Sequence, residues 1–354
     1  MLQRGGIMSK AVFSNRAFKD HEKVVFFYDK ELDFKVIVAI HSTKLGPALG
    51  GCRMYSYEDE DVAITDVLRL SYGMTYKNAL ACGTMGGAKT VVIGNPETLK
   101  SAKLFHRLGQ FINEFNGQYY TAADLGTTAA DMDLVSETTP YVVGALKQSG
   151  DPSPATAFGV FKGIQAACKY YLSQNNLEKV SVAVQGLGKV GYDLCKFLNQ
   201  HKVQLTVCDV NGDILEKAKQ EFNAKVVSTE DIYQQNVDIF APCAMGATIN
   251  DQTIPRLKAK IVAGSANNQL HHSYHADELH KHNIIYVPDY VINAGGAIYV
   301  VECKDKNNKE MLDKAYKKVE SIYETLLEIF DHAKVNNLTP TAAANQIAEK
   351  RLDL

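Results

Sequence analysis

Three charged side chains stand in company that a solvated surface rarely gives them. Lys77 closes an apolar stripe in Gly73-Met-Thr-Tyr-Lys77-Asn-Ala. Lys89 follows a double glycine in Met85-Gly-Gly-Ala-Lys89-Thr and precedes the apolar run Val91–Ile93, and Asp124 sits among small residues in Thr121-Ala-Ala-Asp-Leu-Gly-Thr. If the two lysines converge in one cleft, mutual repulsion and partial desolvation push at least one ammonium pKa downward. One lysine then holds a carboxylate, the other is poised for proton chemistry, and Asp124 is a general acid or base beside them. Spacing alone does not bring the three together. Read singly, Lys77 snorkels to water at the end of its stripe, and all three are as readily separate surface groups.

A second constellation carries its own context. Gly186-Leu-Gly188-Lys-Val-Gly191 lies between a predicted strand, Val180–Val184, and a predicted helix, Lys189–Gln200. In such a turn Gly186 permits the tight reversal, Gly188 lets backbone approach a pyrophosphate, Gly191 permits close helix packing, and the helix N-terminus attracts phosphate. Asp209 ends the next strand, where a carboxylate can accept hydrogen bonds from an adenosine ribose, and neither Val210 nor Asn211 offers a cation for a 2′-phosphate. The expected ligand is therefore NAD rather than NADP.

The elements that must position these groups are legible in outline. Strand-type runs at Lys23–Tyr28, Lys35–Ile40 and Thr90–Ile93 flank one long helix that opens on Glu58, Asp59, Glu60 and Asp61, acids that complement a helix dipole. Ala63, Val67, Leu70 and Met74 are its predicted buried face, with Lys77 continuing the stripe. Gln118-Tyr-Tyr reads as strand ahead of Asp124. After a junction at Asp151-Pro-Ser-Pro-Ala-Thr, strands alternate with helices, the signature of a parallel sheet: Gln204–Val207, Val237–Ala241, Lys260–Ala263 and Ile284–Val287 follow the fingerprint. Val190, Leu194, Phe197 and Leu198 are expected inward on the fingerprint helix. From about Lys309 the tail is helical, with Met311, Ala315, Val319, Ile322, Leu326 and Ile329 on one face.

Composition bounds the reading. With 354 residues, 46% of them hydrophobic, the chain can fill two ordinary domains. A net charge of −2 argues against nucleic acid or an anionic membrane as partner and favours a small molecule. Seven scattered cysteines without a CxxC suggest reduced thiols rather than a disulfide scaffold or zinc site, and His and Cys offer no convincing ligand set, so no metal is expected. No run is long enough to span a membrane, and MLQRGGIMSK lacks the apolar centre of a signal peptide, so the cytoplasm is the default location. Met8 is a candidate internal start behind a short leader.

Six motifs in order tie these readings together: Lys44-Leu-Gly-Pro-Ala-Leu-Gly-Gly-Cys-Arg-Met-Tyr, Gly73-Met-Thr-Tyr-Lys-Asn-Ala, Gly86-Gly-Ala-Lys-Thr, Ser153-Pro-Ala-Thr-Ala-Phe-Gly, Asp238-Ile-Phe-Ala-Pro-Cys-Ala and Pro288-Asp-Tyr-Val-Ile-Asn-Ala-Gly-Gly. From about His41 to the C-terminus the chain resembles the glutamate/leucine/phenylalanine/valine dehydrogenase family. The resemblance implies an α/β protein with an N-terminal α/β catalytic domain over 1–145, helices at about 335–354 packing back on it, a Rossmann-type domain over 146–334, and an active site in the cleft between the domains. It implies that Lys77 binds the substrate carboxylate, helped by the backbone at Gly50 and the amide of Asn268. Lys89 would be the catalytic lysine, Asp124 the acid that moves protons to and from the substrate nitrogen, and Thr156 a contact to the nicotinamide amide. Gly186, Gly188, Lys189, Val190, Gly191 and Asp209, with Cys243, Ala244 and Asn268, would meet the dinucleotide.

The implied reaction is reversible, NAD-dependent oxidative deamination of leucine, valine or isoleucine to the 2-oxo acid and ammonia, by a homo-oligomer, often an octamer among such proteins. The substrate side chain would lie against Leu49, Ala122, Ala297 and Val300, all apolar. Leu49 replaces the lysine that glutamate-specific members use, so glutamate would bury an unpaired charge. Ala297 stands where leucine-type members usually carry valine, which enlarges the pocket, and Asn267 departs from their usual aspartate while Asn268 is retained. Phenylalanine or a broad set of amino acids is the alternative substrate. A non-catalytic NAD-binding sensor is the alternative from another class, and it conflicts with the presence of Lys77, Lys89 and Asp124 together.

Overall fold

The structure is a computed structural model and describes residues 12–353, so the leader and the candidate start at Met8 lie outside the described residues. The chain divides into two compact units, 1–150 and 151–354.

The first unit is built on a five-stranded mixed sheet of β1 (Lys23–Asp29), β2 (Phe34–Ser42), β3 (Ala48–Tyr55), β4 (Gly86–Ile93) and β5 (Tyr119–Ala123), in the order β1-β2-β4-β3-β5. The β1–β2 and β2–β4 pairs are antiparallel, and β3 runs parallel to both β4 and β5. Its helices are α1 (Glu60–Ala81), α2 (Pro96–Leu99), α3 (Ala102–Asn113), α4 (Ala129–Ser136) and α5 (Leu146–Ser149). One face of the sheet packs Val36, Val38, Ile40, Met54 and Val92 against Leu104, Phe105 and Leu108 of α3 and Met132 of α4. The other packs Ile37, Ala39 and Val91 against Ala63, Val67 and Leu68 of α1. Pleating sends alternate residues to opposite faces, so Gly87 and Lys89 share the α1 face with Val91. By the β3–β4 and β3–β5 registers, Leu49, Gly51, Arg53, Tyr120 and Ala122 share it too.

Helix α1 departs from its predicted face by a fraction of a turn. Ser71 and Thr75 are buried, whereas Leu70 and Met74 are half-buried. The reason is close approach: a side chain on Gly87 would come within 2.4 Å of Thr75 backbone, so the helix settles onto β4 through small residues. The buried hydroxyls are satisfied, Ser71 by donating to Val67 O at 2.8 Å and Thr75 by His41 Nδ1 at 2.8 Å. Strand β3 was missed altogether in the sequence, because Ala-Leu-Gly-Gly lacks the β-branched residues that mark a strand. Lys89 lies inside β4 rather than ahead of it.

The second unit holds β6 (Ser181–Gln185), β7 (Gln204–Cys208), β8 (Lys225–Val226), β9 (Ile239–Pro242), β10 (Ile261–Val262) and β11 (Ile285–Tyr286), all parallel, in the order β11-β10-β9-β6-β7-β8. Strand order reverses at β6, so a crevice opens at the carboxyl ends of β6 and β9. The helices are α6 (Ser153–Tyr171), α7 (Lys189–Gln200), α8 (Gly212–Phe222), α9 (His275–Lys281), α10 (Asp289–Ile292), α11 (Gly295–Glu302), α12 (Lys309–Glu320), α13 (Ile322–Asn336) and α14 (Pro340–Arg351). Helix α7 has the predicted bounds, with Leu194 and Leu198 buried; Val190 and Phe197 are half-buried, and Phe197 packs on Phe158 and Phe161 of α6.

The tail breaks at Ser321 into α12 and α13, yet of its predicted stripe Ala315, Val319, Ile322, Leu326 and Ile329 are buried, with Met311 half-buried at the start. The division falls after Gly150, and within the second unit α14 packs on α13 and β11. Its buried Ala343, Ala344, Ile347 and Ala348 form the apolar side that requires a partner. All seven cysteines are unpaired, and all but the half-buried Cys243 are buried. No helix among the described residues is long and apolar enough to cross a membrane.

Candidate active site

Two adjacent glycines on β3 do separate jobs, Gly50 letting β4 approach closely and Gly51 leaving room for Asp124. A side chain on Gly50 would stand 1.6 Å from Ala88 O, and one on Gly51 would stand 2.8 Å from Asp124 Cβ. Any larger residue would push away β4 or the aspartate. Asp124 directly follows β5 and is fixed by its own turn. Its N–H donates to Thr127 Oγ1 at 3.0 Å, and the Thr127 hydroxyl donates onward to Cys52 O at 2.7 Å.

Into this space β4 delivers Lys89, only 5% exposed, whose ammonium lies 2.9 Å from Asp124 Oδ2. The same oxygen accepts from Arg53 Nε at 3.0 Å. The guanidinium continues through Nη1 to Asp66 Oδ2 at 3.0 Å, and Tyr57 Oη also donates to that oxygen at 2.7 Å. Burial alone would raise the Asp124 carboxyl pKa, but the charges and hydrogen bonds of Lys89 and Arg53 outweigh it and hold the group down at about 2. Asp124 is therefore a fixed anion across the neutral range. The group facing Lys89 is thus a carboxylate.

Lys77 is half-buried on α1, the helix that covers this face of the sheet. Its neighbour Asn78 donates to Leu49 O at 3.2 Å and Gly86 O at 2.6 Å, which ties the end of α1 to β3 and β4. Leu49 is buried and Ala122 half-buried. Beneath them Tyr119 Oη donates to Gly50 O at 2.9 Å and meets Thr90 Oγ1 at 2.8 Å, so the Gly50 carbonyl is held from the core side.

In the second unit the fingerprint glycines do separate jobs. Gly186 has φ +95°, and a side chain there would meet Ala244 at 2.6 Å. One on Gly191 would stand 2.0 Å from Gly186 O. Gly188, the N-cap of α7, has open space where a side chain would project, which leaves the helix N-terminus accessible to an anion. Asp209 clamps the loop by accepting from Leu187 N at 2.6 Å and Asn211 N at 2.9 Å, while Val210 beside it is 94% exposed. Lys189 is exposed and paired with Asp151 at 2.7 Å. Val190 is half-buried in the first turn of α7.

Cys243 continues β9 with its N–H on Gln185 O at 2.8 Å, and Ala244 after it is exposed. Asn268 is exposed with φ +51°, and Asn267 Oδ1 accepts from Asn293 Nδ2 at 2.7 Å. Thr156 Oγ1 donates to Pro152 O at 3.1 Å in the first turn of α6, where Gly295 and Gly296 bring α11 close. Ala297 and Val300 lie one helical turn apart on α11. Among the described residues no group of three or more His, Cys, Asp or Glu could hold a metal ion.

Arg53, Asp66, Tyr57 and Thr127 were not singled out as functional in the sequence. A signal existed for Arg53, which stands two residues after Gly51 on one strand and so on the same face.

Comparison with known proteins decides the family. Residues 21–141 match the family model for the Glu/Leu/Phe/Val dehydrogenase dimerisation domain, and residues 149–353 match that for Glutamate/Leucine/Phenylalanine/Valine dehydrogenase. The chain belongs to the glutamate/leucine/phenylalanine/valine dehydrogenase family. It is 48% identical to a leucine dehydrogenase of Bacillus cereus, over 98% of this chain and 94% of that protein. It is 44% identical to a phenylalanine dehydrogenase of Lysinibacillus sphaericus, over 94% of this chain and 89% of the relative. The crystal structure of L-tryptophan dehydrogenase from Nostoc punctiforme matches with a TM-score of 0.84 and 45% identity, over 94% of this chain and 96% of that one. As a member of the glutamate/leucine/phenylalanine/valine dehydrogenase family, the protein is an amino-acid dehydrogenase, an oxidoreductase that uses a nicotinamide dinucleotide.

Proposed function

We propose that the protein oxidatively deaminates branched-chain L-amino acids, leucine, valine and isoleucine, to 2-oxo acids and ammonia with NAD, and that it acts as a homo-oligomer. The observation that carries the reading is the buried Lys89–Asp124 pair in a space left open by Gly51. The second unit fits the dinucleotide: Gly188 leaves the α7 N-terminus clear for a pyrophosphate, and Asp209 remains partly exposed beside it. NAD, when bound, supplies the acceptor for the hydride that leaves the substrate α-carbon.

The chain's own residues do the rest. Lys77, with the Gly50 backbone and the Asn268 amide, holds the substrate carboxylate and fixes the α-carbon for in-line departure of hydride. Lys89 positions water for attack on the substrate iminium or, as the neutral amine, takes its proton. Asp124 is held as an anion and exchanges protons with the substrate nitrogen as ammonia leaves. Thr156 contacts the nicotinamide amide, and Lys189, Val190, Cys243 and Ala244 border the dinucleotide.

Asp209 favours NAD because a carboxylate repels a 2′-phosphate and no cation adjoins it. Leu49 and Ala122 in the first unit and Ala297 and Val300 in the second are apolar, so the favoured side chain is uncharged. The small residue at Ala297 supports a second reading, in which a larger apolar or aromatic side chain is also taken.

The test is a panel of L-amino acids assayed for reduced cofactor with NAD and with NADP. Leucine, valine and isoleucine within about tenfold of one another, phenylalanine poor and glutamate inert are expected, since a methylene in an apolar pocket discriminates weakly. Glutamate as the best substrate would overturn the pocket assignment, and an aromatic amino acid as the best would establish the second reading.

A further inference from the structure

The carboxylate of Asp124 is used asymmetrically. Lys89 and Arg53 both donate to Oδ2, at 2.9 and 3.0 Å, and no described group takes Oδ1. A carboxylate gripped by two cations on one oxygen cannot rotate without losing both bonds, so its other oxygen keeps one direction. Arg53 is itself fixed from behind, because its Nη1 reaches Asp66 Oδ2 at 3.0 Å and Asp66 also accepts from Tyr57. The chain of contacts runs from α1 (Asp66) through β3 (Arg53) to the residue after β5 (Asp124), with Lys89 arriving from β4.

We infer that Arg53, braced by Asp66 and Tyr57, is a positioning residue that pins Asp124 through Oδ2 and presents Oδ1 to the substrate nitrogen. This rests on the proposed role of Asp124 and deepens it, since it says which oxygen works and what aims it. Arginine suits the task because its planar fork bonds two carboxylates at a fixed angle, whereas a lysine offers one compact charge.

Electrostatics give the arrangement a second consequence. The charged and titratable groups around Asp124 are Lys89 on β4, Arg53 on β3, Asp66 on α1 and Tyr57 in the loop between β3 and α1. Asp131 on α4, further out, is paired with Lys100 at 2.6 Å, and Cys52 and Tyr119 are buried and uncharged. Two cations oppose the burial penalty on Asp124, and removing Arg53 leaves one. The carboxyl then protonates at higher pH, and a protonated Asp124 cannot accept from the substrate ammonium.

The experiment compares wild type, Arg53→Met, Arg53→Lys and Asp66→Asn for kcat and KM of the best amino acid from about pH 5 to 10. For Arg53→Met, kcat is expected to fall by more than about tenfold with KM changed less than about threefold, the pattern for a group that acts in the chemical step. The ratio of its kcat/KM to that of wild type should decline further as the pH is lowered from about 8 to 5. Arg53→Lys should restore that flat ratio while recovering only part of kcat, and Asp66→Asn should act in the same direction as Arg53→Met, but less. A loss for Arg53→Met that is uniform across pH, or one that Lys does not relieve, overturns the inference, as does full activity in Arg53→Met. Wild type and Lys89→Ala are run on the same panel: a wild type that oxidises no amino acid, or an active Lys89→Ala, fails the proposed function itself. Where Arg53→Met unfolds, as read by circular dichroism, Arg53→Lys and Asp66→Asn carry the same two readouts.

Discussion

The two candidate site regions are preorganised by different means. In the first unit the work is done by side chains: Lys89, Arg53, Asp66 and Tyr57 arrange Asp124 through bonds of 2.7 to 3.0 Å. In the second it is done by backbone, with Gly186 at φ +95°, Gly191 pressed against Gly186 O, and Gly188 left bare. A charge network can be weakened one bond at a time, and its effects show in pH dependence and turnover. A backbone turn has no such gradation, because a single methyl group either fits or displaces the chain.

The comparison breaks most sharply at Lys89. Lys89→Ala is expected to lower kcat by at least about a thousandfold while the protein stays folded, and Asp124→Asn to lower it by at least a hundredfold. Lys77→Ala should instead act chiefly on KM for the amino acid. Steady-state kinetics on the three variants separate the roles, and near-normal turnover in Lys89→Ala would remove the central assignment.

The fingerprint offers the contrasting test. Gly191→Ala places a methyl 2.0 Å from Gly186 O, so it should both destabilise the second unit and abolish dinucleotide binding. Gly188→Ala meets no neighbour within 4 Å, so its melting temperature should match wild type while KM for NAD rises by about tenfold or more. Equal melting losses in the two variants would show that Gly188 is structural. Next in size is cofactor choice, with NAD preferred over NADP by at least about tenfold in kcat/KM and the preference reduced in Asp209→Ser. Equal rates with both cofactors in wild type would place Asp209 away from the ribose.

Smaller effects sharpen the electrostatic side. Asp124 has its pKa depressed from an ordinary 3.8 to about 2, so its contribution to stability is present above about pH 4 and is lost as pH falls from there through about 2. The size is roughly 2 kcal/mol, read as the difference in acid unfolding between wild type and Asp124→Asn. An identical acid dependence in the two would mean that the cations do not hold the carboxylate. Ala297→Val should change the order of substrates by only a few-fold, about what one or two methyl groups at roughly 0.8 kcal/mol per methylene allow. An unchanged order would show that Ala297 does not line the pocket.

The same division explains what the sequence discloses. The fingerprint is local: strand, glycines, helix and Asp209 fall within 29 residues, 181–209, and helix α7 has its predicted limits. The ion network is not local, since Arg53 and Asp124 are 71 positions apart and meet only because β3 and β5 are neighbours. Strand β3 was illegible because its two glycines, which permit close approach of Ala88 and Asp124, also erase the β-type pattern. The face of α1 was read too far toward Leu70 and Met74, because periodicity weighs apolar residues and cannot foresee that Gly87 draws Ser71 and Thr75 inward. The packing of α14 on α13 and β11 follows from its own buried alanines.

The place of α14 has a consequence for how such a chain can be inherited. Because the last helix belongs to the second unit, each unit is one continuous stretch, and the polypeptide passes from one to the other once, after Gly150. Neither sheet borrows a strand from the other side of that peptide. On the proposed assignments, a single recombination there would exchange the fingerprint glycines and Asp209, together with Ala297 and Val300, as one block, and leave Lys77, Lys89, Arg53 and Asp124 untouched. Cofactor preference and proton chemistry would then be inherited as separable cassettes joined at one splice.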